Sequence, residues 1–166
     1  MTRSILIPLT KGMFARIDEA DAHLVRGYRW RADRPNGKRF YAVAEGPRVG
    51  GRRAQISMHR LLLGAAAGVL VDHADGDGLN NCRSNIRLCN YSQNNANAAR
   101  ARKTRGGRGV YIDRKKFRAR IKVNNRYVSL GGFATEAEAA DAYNRAAIQQ
   151  HGEFARLNPA GLKVLP

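Results

Sequence analysis

Residues 71–98 constrain the fold more than any other part of the chain, because two short apolar runs enclose a long polar loop. The first run ends at Asp72 and His73, and the second covers residues 86–89. Between them stand mostly Asp, Gly and Asn, which favour turns through side-chain hydrogen bonds to nearby backbone or through positive φ. Ser92 follows as the expected N-cap of a helix. The order predicts two strands joined by a long loop and followed by a helix, a ββα unit.

The predicted unit can bring side chains from distant positions to one point. Asp72 supplies an anionic oxygen, and Asn94 supplies a neutral amide oxygen from the start of the helix. Mg²⁺ prefers oxygen ligands and usually takes one or two carboxylates, leaving its other positions to water and substrate phosphate. His73 then remains for proton transfer, since an imidazole with an ordinary pKa of about 6.5 accepts a proton near neutral pH. The set is typical of a one-metal phosphodiesterase site.

The residues Asp72, His73, Asn85 and Asn94 resemble the motif of the HNH nucleases, and residues 58–97 are similar to the branch of phage and intron-borne homing endonucleases. The resemblance implies that His73 is the general base and that Asn85, the second catalytic residue, braces the loop. It also implies that Asp72 and Asn94 hold one Mg²⁺, with Mn²⁺ as an alternative, and that no small-molecule cofactor is needed. The expected activity is hydrolysis of phosphodiester bonds at a preferred site in double-stranded DNA.

Other interpretations of the same segment stay open. Its turn-forming residues can belong to a plain polar loop. A calcium-binding EF-hand is a second alternative, although Arg83 or Ile86 stands where its bidentate glutamate is required. Cys82 and Cys89 lack the paired spacing of a zinc site and are expected to be free thiols. His59, in the sequence MHRLLLG, resembles a recurrent His-Arg of the same nuclease branch and is left outside the catalytic set.

The charge of the chain indicates its partner. A net charge of +17 favours a polyanion, because so many cationic groups repel one another unless phosphates screen them. No apolar run reaches membrane-spanning length, and Pro8 interrupts the apolar start of the chain, so neither a membrane nor a signal peptide is expected. Two cysteines fit a reducing compartment. We therefore expect DNA as the partner and a cytoplasmic location in a bacterial or phage-infected cell, with monomer and homodimer both open.

The fold class predicted for the whole chain is α+β. Ahead of the ββα unit, a β-rich region is expected with a hairpin over residues 4–9 and 13–18, a helix over 19–28, and strands over 40–44 and 54–58. Residues 1–99 then form the nuclease domain with its leader. Residues 100–106 form a basic linker in which Arg100 and Arg102 contact the DNA backbone, unless the linker is simply solvated.

Residues 107–160 are predicted to form a second domain with a three-stranded antiparallel sheet and one backing helix. Strands are expected over 110–113, 117–123 and 127–130. Apolar and basic residues alternate along the middle strand, so one face of the sheet is apolar and the other is cationic. Thr135, with Glu138 three residues on, forms a capping box that starts the helix.

Residues 107–158 resemble the APETALA/ethylene-response-factor DNA-binding domain through RGVYID, KFRARIKV, YVSLGGF and TEAEAADAYNRAAIQQHGEFARLN. That family binds DNA through alternating side chains of its sheet. The resemblance implies DNA contacts at Arg108, Tyr111, Arg118, Arg120, Lys122, Tyr127 and Ser129. Ser129 stands where the plant proteins usually have tryptophan, so their target sequence is not carried over.

Two further functions compete with the nuclease. One is a non-catalytic DNA-binding transcriptional regulator with a degenerate nuclease motif, and the other is a basic RNA-binding accessory protein. The complete set of acid, imidazole and amide groups favours the enzyme, because a scaffold alone does not need them. The sheet also lacks the paired stacking aromatics of an RNA-recognition motif.

Overall fold

The structure, a computed structural model, describes residues 3–35, 37–98, 107–124 and 126–159. The predicted linker, with Arg100 and Arg102, lies outside the described residues. The chain divides into two compact units, Met1–Asn94 and Asn95–Pro166. The first combines antiparallel sheets with short helices and the second combines one antiparallel sheet with one long helix, which confirms the α+β class.

The first unit contains three small antiparallel sheets and short helices. Its elements are β1 (Ser4–Pro8), β2 (Phe14–Asp18), α1 (Ala22–Val25), β3 (Arg31–Asp33), β4 (Tyr41–Val49), β5 (Arg52–Ser57), α2 (Met58–Leu63), β6 (Leu70–His73), β7 (Ile86–Cys89) and α3 (Tyr91–Asn97), in which the division between the units falls. β1 pairs with β2, β4 lies between β3 and β5, and β6 pairs with β7.

One apolar core lies beneath these sheets. Ile17 of β2, Met58 of α2, Trp30 and Ile86 of β7 are buried together. The indole Nε1 of Trp30 donates to the carbonyl of Val25 at 3.0 Å, so this tryptophan is a core residue with its polar atom satisfied. The core therefore joins the N-terminal hairpin to the ββα segment.

Several local predictions are corrected by the structure. The helix predicted over 19–28 is a 3-10 turn at Glu19–Asp21 followed by the four-residue α1. The short apolar run that forms α2 was not predicted as a helix, because a run of this length does not distinguish a helix from a strand. Asn90 caps α3 instead of Ser92, because its Oδ1 accepts from Gln93 N at 2.9 Å while Gln93 Oε1 accepts from Asn90 N at 2.8 Å.

An ion pair ties the loop between β6 and β7 to the turn after β2. The Arg83 guanidinium donates to both carboxylate oxygens of Asp21, with Nε to Oδ2 at 2.8 Å and Nη2 to Oδ1 at 2.8 Å. The Arg83 backbone N–H also donates to Asp18 Oδ2 at 2.8 Å. The Asp21 side chain is 6% exposed and that of Arg83 is 50% exposed. The pair is bidentate but partly screened by solvent.

We expect Asp21→Ala to lower the free energy of unfolding by about 1–2 kcal/mol, since the aspartate is buried while its partner is half in water. Urea unfolding measures the change. Glu19→Ala is the matched control, because its pair with Arg3 spans 3.7 Å between exposed side chains. Equal losses in the two variants would contradict the expectation.

The second unit is a three-stranded sheet covered by one long helix. Its elements are β8 (Val110–Asp113), β9 (Lys116–Val123), β10 (Arg126–Phe133) and α4 (Glu136–His151), with β9 in the centre of the sheet. The predicted cap is present, since Thr135 Oγ1 accepts from Glu138 N at 3.2 Å. Val110, Ala119 and Ala139 form part of the buried layer between sheet and helix. The cationic side of β9 is therefore left facing away from α4.

Candidate active site

Asp72 and His73 occupy the end of β6, where that strand enters the long loop. In the pairing of β6 with β7, Asp72 lies opposite Arg87 and His73 lies opposite Ile86. Each of the two residues is only 5% exposed. The short strand pair thus fixes the backbone of a carboxylate and an imidazole side by side.

A buried asparagine determines which nitrogen of His73 carries the proton. His73 Nε2 lies 3.3 Å from Asn81 Oδ1. The Asn81 amide is oriented by its Nδ2, which donates to the Leu79 carbonyl at 3.0 Å. An amide oxygen only accepts, so Nε2 donates and Nδ1 is the basic nitrogen of the neutral ring. Burial lowers the pKa of His73 despite this bond and nearby aspartates, which keeps the ring neutral at neutral pH.

The N-terminal hairpin holds Asn81 in place. The Asn81 backbone N–H donates to the Arg16 carbonyl at 2.7 Å, and Arg16 N–H donates to the Leu79 carbonyl at 2.8 Å. The Asn81 side chain is fully buried. Sequence reasoning missed this residue; the adjacent Asn80 and Asn81, inside the loop that follows the histidine, were the available signal. The leader is part of the site, since it positions the group that orients His73.

Asn85 makes the contacts that a loop brace requires. Its Nδ2 donates to Asp75 Oδ1 at 2.9 Å and to the Asn80 carbonyl at 2.7 Å. Its Oδ1 accepts from Asp75 N at 3.0 Å. Burial alone would raise the pKa of Asp75, but hydrogen bonds from the Asn80 side chain, the Asp77 backbone and the Asn85 side chain lower it. Asn85 links two parts of the same loop by hydrogen bonds, while Asn81 forms a hydrogen bond with the imidazole of His73.

Asp72 has a partner that the sequence analysis did not identify. Arg87 donates to Asp72 Oδ2 through Nη2 at 2.9 Å and through Nε at 3.1 Å. The side chains are 17% exposed for Arg87 and 5% for Asp72, so the pair is largely shielded from solvent. The charge of the predicted metal ligand is balanced by this arginine.

Asn94 is placed by α3, directly after β7. Its side chain is half-buried, and its backbone N–H donates to the Asn90 carbonyl at 3.0 Å. Within the described residues, the Asn94 side chain forms no hydrogen bond to Asp72 or His73. Its part in the site therefore rests on its place in the ββα order.

The donor set of the site fits Mg²⁺ better than zinc. Among the described residues, no group of three or more His, Cys, Asp and Glu side chains can hold a metal ion. Burial raises the pKa of the Cys82 and Cys89 thiols, which favours protonated sulfur and not zinc-binding thiolate. One carboxylate and one amide fit Mg²⁺, which takes most of its remaining ligands from water and phosphate.

A second histidine lies against His73. His59 of α2 has its ring centroid 5.1 Å from that of His73, with the ring planes 78° apart. Burial, followed by the nearby His73 and Arg60, lowers the pKa of His59 to about 4. The site thus contains two neutral imidazoles at neutral pH.

We expect the free energy of unfolding to fall as the pH drops from 6.5 towards 4. The unfolded chain binds a proton at the ordinary histidine pKa, whereas folded His59 resists protonation until about 4, so acid favours unfolding in this window. The contribution from His59 between pH 7 and 4.5 is about 2 kcal/mol. Urea unfolding of wild type and His59→Phe at both pH values measures it. The same pH dependence in both proteins would count against the assignment.

Most of the side chains predicted to contact DNA in the second unit lie on one face of its sheet. Cross-strand neighbours place six of them on one side of the sheet, in the pairs Tyr111 with Arg118, Ser129 with Arg120 and Tyr127 with Lys122. The Arg120 guanidinium lies 4.9 Å from the Tyr111 ring centroid and 4.2 Å from that of Tyr127. Arg118 pairs with Asp113 at 2.8 Å. The sheet therefore holds Arg120 stacked between aromatic rings.

Arg108 differs from the other predicted contacts. Its Nη1 donates to the Ala98 carbonyl at 2.9 Å and its Nη2 to the Asn95 carbonyl at 3.4 Å. The Asn158 side chain holds the Arg108 backbone by a hydrogen bond, in which Nδ2 donates to the Arg108 carbonyl at 2.9 Å. These contacts give Arg108 a structural role in holding the end of α3.

The strand pair with Asp-His at its edge, followed by a helix, is similar to the arrangement expected for the HNH class of nucleases. A particular relative is the "Uncharacterized HNH endonuclease L560" of Acanthamoeba polyphaga mimivirus, 29% identical over 150 residues, which cover 89% of this chain and 76% of the relative. The similarity supports a relationship to HNH nucleases. No protein-family model matches the chain, and neither does any solved structure. Within the described part of the chain, every helix is too short or too polar to span a membrane.

Proposed function

We propose that this protein is a metal-dependent DNA endonuclease of the homing type, which hydrolyses phosphodiester bonds at a preferred duplex site. The observation that carries the proposal is the hydrogen bond from His73 Nε2 to buried Asn81, which sets up a neutral imidazole beside Asp72. A ring held this way is prepared to accept a proton through Nδ1. The similarity to a protein named as an HNH endonuclease supports the same function.

In the proposed reaction, His73 accepts the proton of the water that attacks phosphorus. Asp72 and Asn94 would hold Mg²⁺ or Mn²⁺, which supplies electrostatic stabilisation of the charge that develops on the phosphate and the leaving oxygen. Asn85 keeps the loop closed, and Asn81 accepts the hydrogen bond from His73 Nε2, so that Nδ1 stays the basic nitrogen. No small-molecule cofactor takes part.

The second unit is proposed to act as the DNA reader. In this proposal, residues 1–99 form the nuclease domain, residues 100–106 a basic linker that touches DNA through Arg100 and Arg102, and residues 107–160 a domain like that of the APETALA/ethylene-response-factor proteins. A tethered reader raises the effective concentration of the nuclease at its target. The protein would work on DNA in the cytoplasm of a bacterial or phage-infected cell, as a monomer or homodimer.

The direct test is incubation of supercoiled plasmid and of genomic DNA with the protein in Mg²⁺, Mn²⁺ or EDTA. Nicked or linear products that require metal support the nuclease, and mapping their ends gives the site. Tight duplex binding without cleavage under any metal would favour the regulator. The Arg87 pair is the observation on which that second candidate rests, because it already neutralises Asp72.

We expect Arg120→Ala to weaken duplex binding about 10-fold, because the stacked guanidinium is held ready for contact with DNA. Arg120→Lys should lose most of the same affinity, since an ammonium does not stack as a planar fork. Arg145→Ala is the matched control, because Arg145 is an exposed residue of α4, which covers the other face of the sheet. Fluorescence anisotropy at fixed salt measures all three, and equal effects of Arg120→Ala and Arg145→Ala would exclude a specific role.

A further inference from the structure

Three aromatic rings from different elements pack against one another in the first unit. Tyr41 of β4 has its centroid 5.9 Å from His73 and 5.9 Å from His59. The His59 and His73 centroids are 5.1 Å apart, with the edge of one ring towards the face of the other. Such edge-to-face contacts are favourable and directional. His73 is thus packed against two rings, in addition to its hydrogen bond with Asn81.

The helix that carries His59 is fixed relative to β6. Arg60, its neighbour in α2, donates through Nη1 to the Val69 carbonyl at 2.6 Å and through Nη2 to the Ala66 carbonyl at 2.7 Å. Met58, on its other side, is fully buried. Arg60 therefore ties the helix that carries His59 to the connection that leads into β6, the strand of His73.

Tyr41 is fixed by the active-site loop. A Cβ atom at Gly78 would lie 2.7 Å from Tyr41 Cδ1, which shows how closely the loop backbone passes the ring. Only glycine allows this approach. The loop that carries Asn81 and Asn85 therefore also packs against the Tyr41 ring and restricts its position.

Hydrogen bonding through Nδ1 does not account for the position of His59. Its Nδ1 is buried and has no hydrogen-bond partner among the described residues. An unpartnered buried nitrogen costs stability, whereas the packing against His73 needs only a flat ring. The ring contacts that His59 makes are with His73, the proposed base, and with Tyr41.

We propose that His59 is a positioning residue that fixes the ring plane of His73 through edge-to-face packing. The inference rests on the proposed function, in which His73 is the general base. Rotation of that ring would move Nδ1 away from the water it deprotonates, and small displacements of a catalytic group are costly in rate. Binding of DNA does not involve His59 in this scheme.

The test compares three substitutions at His59 in the full chain. His59→Ala should lower kcat about 10-fold with KM for duplex DNA unchanged. His59→Phe keeps a ring without nitrogens and should recover most of kcat, whereas His59→Asn keeps a polar group without a ring and should not. His23→Ala, which removes an exposed histidine, is the control for the loss of an imidazole elsewhere in the unit. Recovery by Asn but not by Phe would overturn the proposal.

A second measurement separates failure of this inference from failure of the nuclease assignment. Two-bond ¹H–¹⁵N correlations report which nitrogen of His73 is protonated, whether or not the protein cleaves DNA. Wild type and His59→Phe should show one tautomer with the proton on Nε2, and His59→Ala should show a mixture. A single unchanged tautomer in His59→Ala would show that the ring is held without His59.

Discussion

His73→Ala is expected to lower the rate of DNA cleavage at least about 100-fold, while duplex affinity stays within about twofold of wild type. The imidazole is buried beside Asp72, and its Nε2 bond to Asn81 leaves Nδ1 as the proton acceptor. Removing a positioned general base takes away the proton transfer and nothing that holds DNA. Single-turnover cleavage and anisotropy measure the two quantities separately.

The control for this result must address stability, because the variant leaves a buried Asn81 amide without its imidazole partner. Urea unfolding shows whether the variant stays folded under assay conditions. Partial recovery of cleavage on addition of free imidazole would identify the missing group as a base. Cleavage by His73→Ala at the wild-type rate, with metal present, would remove His73 from the proposed mechanism.

The elements that the sequence predicted most closely are those with a local pattern. β6, β7 and β8 lie where short apolar runs stood between turn residues, and β9 alternates in its burial as its apolar and basic residues alternate. α4 begins at the predicted capping box, which could be identified from the sequence because Thr135 and Glu138 are near neighbours in the chain. Each of these signals is contained within a few residues.

The parts that the sequence did not reveal depend on contacts between distant segments. Asn81 meets His73 because β2 pairs with the loop, and no local pattern specifies that pairing. Arg87 faces Asp72 because of the register between β6 and β7, in which a shift by one residue would send it to the other face. Arg108 lies before β8, which begins at Val110, so the alternation of side chains along a strand does not predict its position. Tertiary partners of a predicted site thus require the three-dimensional structure.

Asp72→Asn is the second change with a large expected effect, because it removes a charge that serves two partners. In the proposed function the carboxylate holds Mg²⁺, so cleavage should fall at least about 100-fold. The same substitution removes the carboxylate charge that lies 2.9 Å from the Arg87 guanidinium, which is 17% exposed. Loss of one member of a buried pair should lower the free energy of unfolding by about 3 kcal/mol. Activity and stability are therefore both expected to fall, for different reasons.

A double variant separates these two effects. Asp72→Asn combined with Arg87→Met removes both charges, so much of the lost stability should return, while cleavage should not. Mg²⁺ provides an independent readout, since a ligand that binds only the folded state raises the melting temperature. Mg²⁺ should raise the Tm of wild type but not that of Asp72→Asn or the double variant. If the double variant regained cleavage together with stability, Asp72 would be a structural partner of Arg87, and the proposed metal site would lose its only carboxylate.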